Sequence, residues 1–343
     1  MRKLKRIIEL SEPIGIISAA AVGGYEERRG PLGEKFDLCD PRDTFGQDTF
    51  ELAEGEMARL ALNMALSKAG MSHEKIDLLV AGDLQNQCVG TSLGLCGFGI
   101  PYLGVYGACS TCTESLLILS AMMNVGKIQH GAAVTSSHNA AAERQFRTPI
   151  EYGGQRAPSA QWTSTAAGAF ILGHDQTSPK ITRLSVGKVV DGGTRDGTNM
   201  GGAMCFAAAD TLLSFFDESG YSLSRYDAIV TGDLGRVGSD ILREILSKEL
   251  SGAERIHEDC GLQLYDPKLQ DAHSGASGCG TSAAVLATRY YPLLSEGKLR
   301  RILFLSTGAL MSPSSLLQKQ NILGVAPLIE IESMGASDHS STE

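Results

Sequence analysis

One octapeptide occurs twice in this chain with few changes. Residues 77–84 read DLLVAGDL and residues 227–234 read DAIVTGDL. Each copy is followed by a helical segment, a Gly-Lys turn and an apolar strand. The two apolar strands end near residues 135 and 305. The corresponding elements lie roughly 150–170 residues apart, a spacing far longer than that of solenoid repeats. The chain is therefore predicted to be a duplicated α/β domain.

The predicted strands are continuous apolar runs and do not alternate with polar residues. Residues 78–81 (LLVA), 228–230 (AIV) and 302–305 (ILFL) are of this kind. Such runs indicate strands that are covered by helices on both faces. The pattern predicts an α/β fold of two halves, residues 1–176 and 177–343, whose sheets enclose a central pair of helices.

Smaller features complete this outline. Residues 49–69 are predicted to form a helix with a glutamate-rich first turn. The polar cluster HDQTSPK at 174–180 marks the boundary between the halves. Residues 143–163 and 191–204 are Gly-rich and polar, and we expect them to cover or line a site.

Charge and cysteine content exclude several functional classes. The 343-residue chain has a net charge of −9, so a nucleic-acid partner is not expected. Its eight cysteines follow no framework spacing and are interpreted as reduced thiols. The basic start MRKLKR precedes an apolar run that Glu9, Glu12 and Pro13 interrupt, which argues against a signal peptide or a membrane span. The protein is expected to be soluble or peripheral to a membrane.

The segment 107–115, GACSTCTES, is the strongest functional signal. It joins the apolar residues 102–107 to a helix predicted over 115–125. A cysteine exposed at the start of a helix lies where unpaired N–H groups and the helix dipole favour a thiolate or a bound anion. Cys109 is therefore a candidate nucleophile or part of a small-anion site.

These features together resemble the thiolase superfamily, to which thiolases and ketoacyl synthases belong. The resemblance rests on the duplicated halves, the turn at 107–115 and the segment TAAGAFIL at 165–172. It implies a five-layer α-β-α-β-α arrangement. DTFELAE at 48–54, TSSH at 135–138, EYGGQR at 151–156 and AQWT at 160–163 further resemble a family of sporulation proteins within it.

The resemblance to these sporulation proteins implies a ligand, partners and a location. They bind dipicolinic acid, a pyridine dicarboxylate, and act in loading it into the developing spore. The ligand is expected either free or as its Ca²⁺ chelate, and no resident cofactor is expected. The implied partners are small membrane proteins of the same sporulation operon and a second copy of the chain, paired through residues 102–107. The implied location is the cytoplasmic face of the inner spore membrane.

The catalytic groups of acyl-transferring relatives are not evident. In ketoacyl synthases a histidine follows the strand that corresponds to 228–230, where this chain has Thr231-Gly-Asp. A second histidine or asparagine is expected near Gly280, beside Cys279, and His273 lies in a different register. Without these groups, proton transfer and oxyanion stabilisation are deficient. A binding-only site is favoured; an active acyl-thioester enzyme that uses Cys109 and a scaffold with a vestigial pocket remain alternatives.

Further candidates follow from side-chain chemistry. Arg156, in the Gly-rich GGQR segment, would bind a carboxylate, and Trp162 would stack on a pyridine ring. His138 lies at the end of a predicted strand and is a further candidate. The alternative for Arg156 is a surface ion pair, for Trp162 a dimer contact, and for His138 a histidine in a loop without a binding role. Asp83 and Asp233 are related by the repeat, which favours structural roles such as capping. No catalytic or metal-binding residue is predicted, and the ligand-binding candidates are Cys109, Ser110, Thr111, His138, Gln155, Arg156, Trp162, His273 and Cys279.

Overall fold

A computed structural model describes residues 5–146, 156–174 and 179–333. Most of its strands belong to one large mixed sheet. The strands are β1 (Ile7–Gly23), β2 (Leu38–Cys39), β3 (Leu78–Gly82), β4 (Tyr102–Gly104), β5 (His130–Ser137), β6 (Trp162–Thr163), β7 (Ala166–Gly173), β8 (Lys180–Ser185), β9 (Val190–Asp191), β10 (Ala228–Thr231), β11 (His257–Asp259), β12 (Ala276–Ser277), β13 (Arg301–Leu305), β14 (Gly308–Leu310), β15 (Leu323–Val325) and β16 (Leu328–Glu332).

The helices alternate with these strands, as expected of an α/β fold. They are α1 (Tyr25–Arg29), α2 (Phe50–Ala69), α3 (Val89–Leu95), α4 (Thr111–Met123), α5 (Asn139–Phe146), α6 (Met200–Ser219), α7 (Gly235–Glu249), α8 (Ala253–Ile256), α9 (Cys279–Val285), α10 (Tyr291–Ser295) and α11 (Pro313–Leu317). A π-helical turn, Leu286–Tyr290, joins α9 to α10.

The two halves of the sheet have the same strand order. The first half runs β4-β3-β5-β7-β1 and the second β11-β10-β13-β16-β8. In each, the first three strands are parallel and the last two are antiparallel to their neighbours. This shared topology confirms the predicted duplication. The predicted boundary at 176/177 lies outside the described residues.

The long strand β1 connects the halves. Residues 15–23 pair with β7, and residues 7–9 and 14–15 pair with β8. A bulge at Ile17 shifts the register between the neighbouring residues of the β1–β7 ladder. Because bulges bend a strand and increase its twist, β1 changes direction where one half of the sheet passes into the other.

The predicted five-layer arrangement is confirmed. The central helices α4 and α9 contribute buried residues, including Leu116 and Val285, to a core shared with strands of both halves. On the outer face of the first half α2 packs against the strands, and α6 and α7 cover the second half. The beginnings of α4 and α9 are thereby brought together between the two halves of the sheet.

Helix ends were predicted less well than helix existence. The helix predicted at 49–69 is α2, and the Thr49 hydroxyl accepts a hydrogen bond from the Leu52 N–H. The helices predicted from 115 and 282 begin earlier, at Thr111 and Cys279. Both starts are rich in Ser, Thr, Cys and Gly, whose low helix propensity is overridden by burial between the sheets.

Two other expectations need correction. Part of the predicted loop at 191–204 is helical, because α6 begins at Met200 with Asn199 as its N-cap. The segment predicted as an apolar strand at 102–107 contains only the short edge strand β4, whose three residues are exposed. The beginning of the expected loop 143–163 belongs to α5, and residues 147–155 lie outside the described part of the chain.

Helix α3 packs against α2 through two glycines. A Cβ atom added at Gly94 would overlap the Gly55 backbone, so Gly94→Ala must push the helices apart. We expect a loss of about 2 kcal/mol of unfolding free energy. Gly97→Ala is a matched control because nothing lies within 4 Å of its added Cβ. Denaturant unfolding checks both, and equal stability of the two variants would contradict the close packing.

Candidate functional site

The turn before α4 holds Cys109 in a fixed position. Ala108 has a φ of 52°, a left-handed conformation that is costly for a residue other than glycine. The Thr111 hydroxyl stabilises the turn by donating to the Ala108 carbonyl (2.6 Å) and accepting from the Gly107 N–H (3.1 Å). The Ser110 hydroxyl donates to the Gly107 carbonyl (2.6 Å). These contacts confirm a sharp strand-to-helix turn at the cysteine.

Cys109 itself is not an exposed nucleophile. Its side chain is 5% exposed and lies between the first turns of α4 and α9. The Sγ atom is 3.9 Å from the Ser277 hydroxyl and also adjoins the Asp233 carboxyl group. The expectation of an exposed thiol is wrong because the second half of the protein covers the turn.

Asp233 is the polar centre of this cluster. Its carboxyl group is completely buried. One oxygen accepts from the Gly278 N–H (2.8 Å) and the Ser277 hydroxyl (3.2 Å), and the other accepts from the Thr307 hydroxyl (3.0 Å). Asp233, its three donor residues and Cys109 form what we call the Cys109–Asp233 centre. The hydrogen-bond donors of this centre already donate to the Asp233 carboxylate, so they are not available to a ligand.

The electrostatics of the centre oppose a thiolate. Burial, followed by the neighbouring negative charge of Asp233, raises the pKa of Cys109 well above its ordinary value. Burial also raises the pKa of Asp233 to about 7, although its hydrogen bonds act in the opposite direction. The expectation that the helix start would favour a thiolate at Cys109 is therefore corrected.

The N–H groups of Ser110 and Thr111 are not free to bind a ligand. The Ser110 N–H donates to the Gly107 carbonyl at 3.1 Å, and the Thr111 N–H donates to the Ala108 carbonyl at 3.3 Å. Both donors are used within the turn itself. The prediction that they take a ligand carboxylate is corrected for this reason.

The neighbouring cysteines are buried thiols. Cys279 Sγ donates to the Ser136 carbonyl at 3.0 Å, and burial raises its pKa well above the ordinary value. Cys112 is 1% exposed and packs in the core. Among residues 5–146, 156–174 and 179–333, no group of three or more His, Cys, Asp or Glu side chains is arranged to hold a metal ion.

His138 is engaged elsewhere. Its Nε2 is 2.7 Å from the Asp43 carbonyl oxygen, and its ring packs on Phe50 at 5.1 Å between centroids. Burial lowers the pKa of this histidine, so the imidazole is held in its neutral form. These contacts anchor the segment before α2.

Arg156, Trp162 and His273 form a separate cluster around Asp271. The Arg156 guanidinium lies 4.8 Å from the centre of the Trp162 ring. Its Nη2 is 3.1 Å from Asp271 Oδ2 and also donates to the Asp271 carbonyl. His273 Nε2 is 2.8 Å from Asp271 Oδ1. Gln155, the remaining predicted site residue, lies outside the described residues.

A pocket of about 310 Å³ opens beside this second cluster, which we call the Trp162 pocket. Trp162 and Tyr265 contribute aromatic surface, and Arg29, Glu26 and Asp271 contribute charge. Arg156 Nη1 is buried and has no hydrogen-bond partner among the residues that the structure describes. Of the predicted residues, Cys109 belongs to the Cys109–Asp233 centre and Trp162 lines the pocket, with Arg156 stacked on its ring. His138 lies apart from both, against Asp43 and Phe50.

Repeat symmetry misled the interpretation of Asp233. Its counterpart Asp83 does cap a turn, since its oxygens accept from the Gln85 N–H (2.8 Å) and the Thr91 N–H (2.7 Å). In the second half Asp259 has that role, accepting from the N–H groups of Leu234 and Gly235. Asp233 is thereby released to face Cys109. Its place after β10, where synthases have a histidine, was the available signal.

Replacing Asp233 tests its effect on the thiol. Asp233→Asn removes the negative charge, so the pKa of Cys109 should fall. A pKa lower by one unit should accelerate alkylation of Cys109 by iodoacetamide roughly tenfold, because the thiolate is the reactive form. Peptide mass spectrometry measures labelling of Cys109. Asp240→Asn, on the exposed face of α7, is the control and should match the unmodified protein. Unchanged labelling of Cys109 in Asp233→Asn would contradict the electrostatic argument.

Known proteins resemble this chain in sequence and in fold. The family model for stage V sporulation protein AD (SpoVAD) matches residues 4–332. Stage V sporulation protein AD of Bacillus subtilis (strain 168) is 41% identical over 325 residues, covering 95% of this chain and 96% of that protein.

Solved structures share the fold at low sequence identity. A variant of OleA from Xanthomonas campestris has a TM-score of 0.61 and 14% identity, covering 95% of this chain and all of the OleA chain (100%). For 3-oxoacyl-(acyl-carrier-protein) synthase III from Aquifex aeolicus VF5, the TM-score is 0.58 at 13% identity, with 93% and 99% of the two chains covered. These likenesses show a thiolase-like architecture. The family model and the Bacillus subtilis relative show that the chain belongs to the stage V sporulation protein AD family.

Proposed function

We propose that this sporulation protein binds dipicolinic acid, free or as its Ca²⁺ chelate, and supports its uptake into the developing spore. The observation that carries the proposal is the Arg156 guanidinium stacked on Trp162, with one buried N–H group unpaired among the described residues. A charged donor beside an aromatic wall suits an aromatic carboxylate. The Trp162 pocket is within the size range of small-molecule sites.

The charges around the pocket suit both ligand forms. Arg29, which lines the pocket, and Arg156, which stacks on the Trp162 ring, would each take one carboxylate of the ligand. Glu26 and Asp271, whose side chains are 31% and 81% exposed, add oxygen atoms of the kind that Ca²⁺ prefers. The ion is treated as part of the ligand. On this proposal the binding site is the Trp162 pocket, and Cys109 does not contact the ligand.

Calorimetric titration with dipicolinate, with and without equimolar Ca²⁺, tests the site. Arg156→Ala should weaken binding at least tenfold, because a charge-assisted hydrogen bond contributes about 1.5–3 kcal/mol. Trp162→Ala should weaken it as well. Arg255→Ala is the control, since its guanidinium is 83% exposed and does not line the pocket.

The Cys109→Ala variant distinguishes binding at the Trp162 pocket from binding at the Cys109–Asp233 centre. Full binding by this variant, with loss in Arg156→Ala, supports the Trp162 pocket. Loss in Cys109→Ala alone would place the ligand at the Cys109–Asp233 centre instead. Absence of binding heat in either ionic form would count against dipicolinate as the ligand.

An acyl-thioester enzyme is the second candidate, favoured by the left-handed turn at Ala108 that presents a cysteine at a helix start. The raised pKa of Cys109 and the fully bonded Asp233 argue against it. Covalent acylation of Cys109 by acetyl-CoA or malonyl-CoA, detected by mass spectrometry, would favour the enzyme over the carrier.

We also propose that two copies pair through β4 and that the dimer works beside small membrane proteins of the same operon. No helix in the described parts of the chain is long and apolar enough to cross a membrane. Association with the cytoplasmic face of the inner spore membrane would then be peripheral and depend on those partners.

The exposed edge of the sheet supports the dimer. β4 ends the strand order, and its Tyr102 and Leu103 side chains are 39% and 38% exposed. An unpaired edge with apolar side chains is prone to pair with another strand. Leu103→Lys should therefore give a monomer in light scattering, whereas Val125→Lys, at another exposed apolar position, should stay dimeric. If Leu103→Lys and Val125→Lys were both monomeric or both dimeric, the result would argue against pairing through β4.

A further inference from the structure

A second pocket lies where the two halves of the chain meet. It has a volume of about 410 Å³ and is bounded by the bulge of β1 on one side and the π-helical turn on the other. The Tyr291 hydroxyl spans this junction by donating to the Ile17 carbonyl at 3.1 Å. Bulges and π turns both occur often beside functional sites. We call this cavity the junction pocket.

Four cationic side chains from separate segments line the junction pocket. They come from the 3₁₀ turn Gly33–Lys35, the last turn of α2, the π-helical turn and the segment after α10. One acidic side chain, Glu296, lines it as well. With Asp37 and Glu258, which pair with Lys68 and Arg289, four cations meet three acids, so one net positive charge remains in a chain of net charge −9. The cations are Lys35, Lys68, Arg289 and Lys298.

Nearby acids hold three of these cations in place. Lys68 pairs with Asp37 at 2.7 Å and also donates to the Ala19 carbonyl. Arg289 lies 3.3 Å from Glu258 through Nη2, and Lys298 lies 2.6 Å from Glu296. These contacts fix the positions of the cations before any ligand arrives, which lowers the entropic cost of binding.

Donors nevertheless remain for a ligand. Arg289 Nε is buried and has no hydrogen-bond partner within the described ranges of the chain. Lys68 uses two of the three donors of its ammonium group. Lys35 is exposed at the rim and is an additional cation. A ligand in the pocket would meet these donors from different directions.

We propose that the junction pocket binds a phosphate group. The several oxygens of a phosphate accept hydrogen bonds from donors on different sides at once, and Arg and Lys are its usual protein partners. Apolar side chains, among them Ile17 and Leu293, also line the pocket, so the phosphate is expected on a molecule with an apolar part. This site goes beyond the proposed dipicolinate function and does not depend on it.

Calorimetry of the full chain in phosphate-free buffer, with inorganic phosphate and then glycerol phosphate as titrants, tests the proposal. Both should bind, and Lys35→Ala/Lys298→Ala should weaken binding at least tenfold. Arg289→Gln is the second test, because it removes the charge and the buried Nε donor. Lys75→Ala/Lys127→Ala is the matched control, since both lysines are exposed and lie outside the pocket lining.

Vesicle sedimentation distinguishes the source of the phosphate. Binding to phosphatidylglycerol vesicles but not to phosphatidylcholine vesicles, lost in both pocket variants, indicates a lipid headgroup. Binding of glycerol phosphate without vesicle binding indicates a soluble ligand. Absence of phosphate binding in every arm, equal loss in the control variant, or dipicolinate as the only anion that needs these cations would each overturn the proposal.

Discussion

The close approach of the first turns of α4 and α9 is the constraint on which the rest of the structure depends. Duplication places one such helix in each half, and the five-layer packing encloses both between the sheets. Because the turns face each other, Cys109 of the first half meets Ser277 of the second at 3.9 Å. Any group at the end of β10 is then directed into the same buried space. A single residue there decides whether the space supports a thiolate.

That residue is Asp233. Its negative charge destabilises a thiolate at Cys109, whereas an imidazole at the same place would stabilise one. A histidine could accept the thiol proton and, as a cation, stabilise a thiolate. An aspartate that already accepts three hydrogen bonds is a poor base, and in its ionised form it repels a second anion. The same scaffold therefore holds a protonated thiol. The contacts of Cys109 with Ser277 and Asp233 link the first half of the chain to the second at this buried centre.

The sequence allowed the fold to be predicted because duplication and buried strands are local patterns. The repeat at 77–84 and 227–234 corresponds to β3 and β10, which occupy equivalent places in the two halves of the sheet. Strand β1 was not predicted, because Glu9, Glu12 and Pro13 interrupt its apolar pattern. Glu9 pairs with Arg183 in the β1–β8 ladder, and Glu12 and Pro13 lie where that ladder is interrupted between Glu9 and Ile14.

The site residues stay predictions, and their arrangement could not be derived from the sequence. No spacing indicates that Arg156 pairs with Asp271 and stacks on Trp162, apart from the contacts of Cys109 with Ser277. The symmetry of Asp83 and Asp233 favoured structural roles such as capping for both. Asp83 caps the turn after β3, but Asp259 caps the turn after β10, and that exchange depends on tertiary contacts. Repeat symmetry predicts backbone positions well and side-chain functions poorly.

The separation of the two clusters has a consequence for any anionic ligand. A dicarboxylate placed at the Cys109–Asp233 centre would meet an ionised Asp233 in a medium of low polarity, where like charges repel strongly. The N–H groups of Ser110 and Thr111 would offer no compensation, since the turn already uses them. The Trp162 pocket is lined by the Arg29 guanidinium and by the aromatic side chains of Trp162 and Tyr265, together with the carboxylates of Glu26 and Asp271. The electrostatics therefore oppose a dicarboxylate at the buried centre. On the proposed function, anion recognition would be independent of the retained cysteine turn.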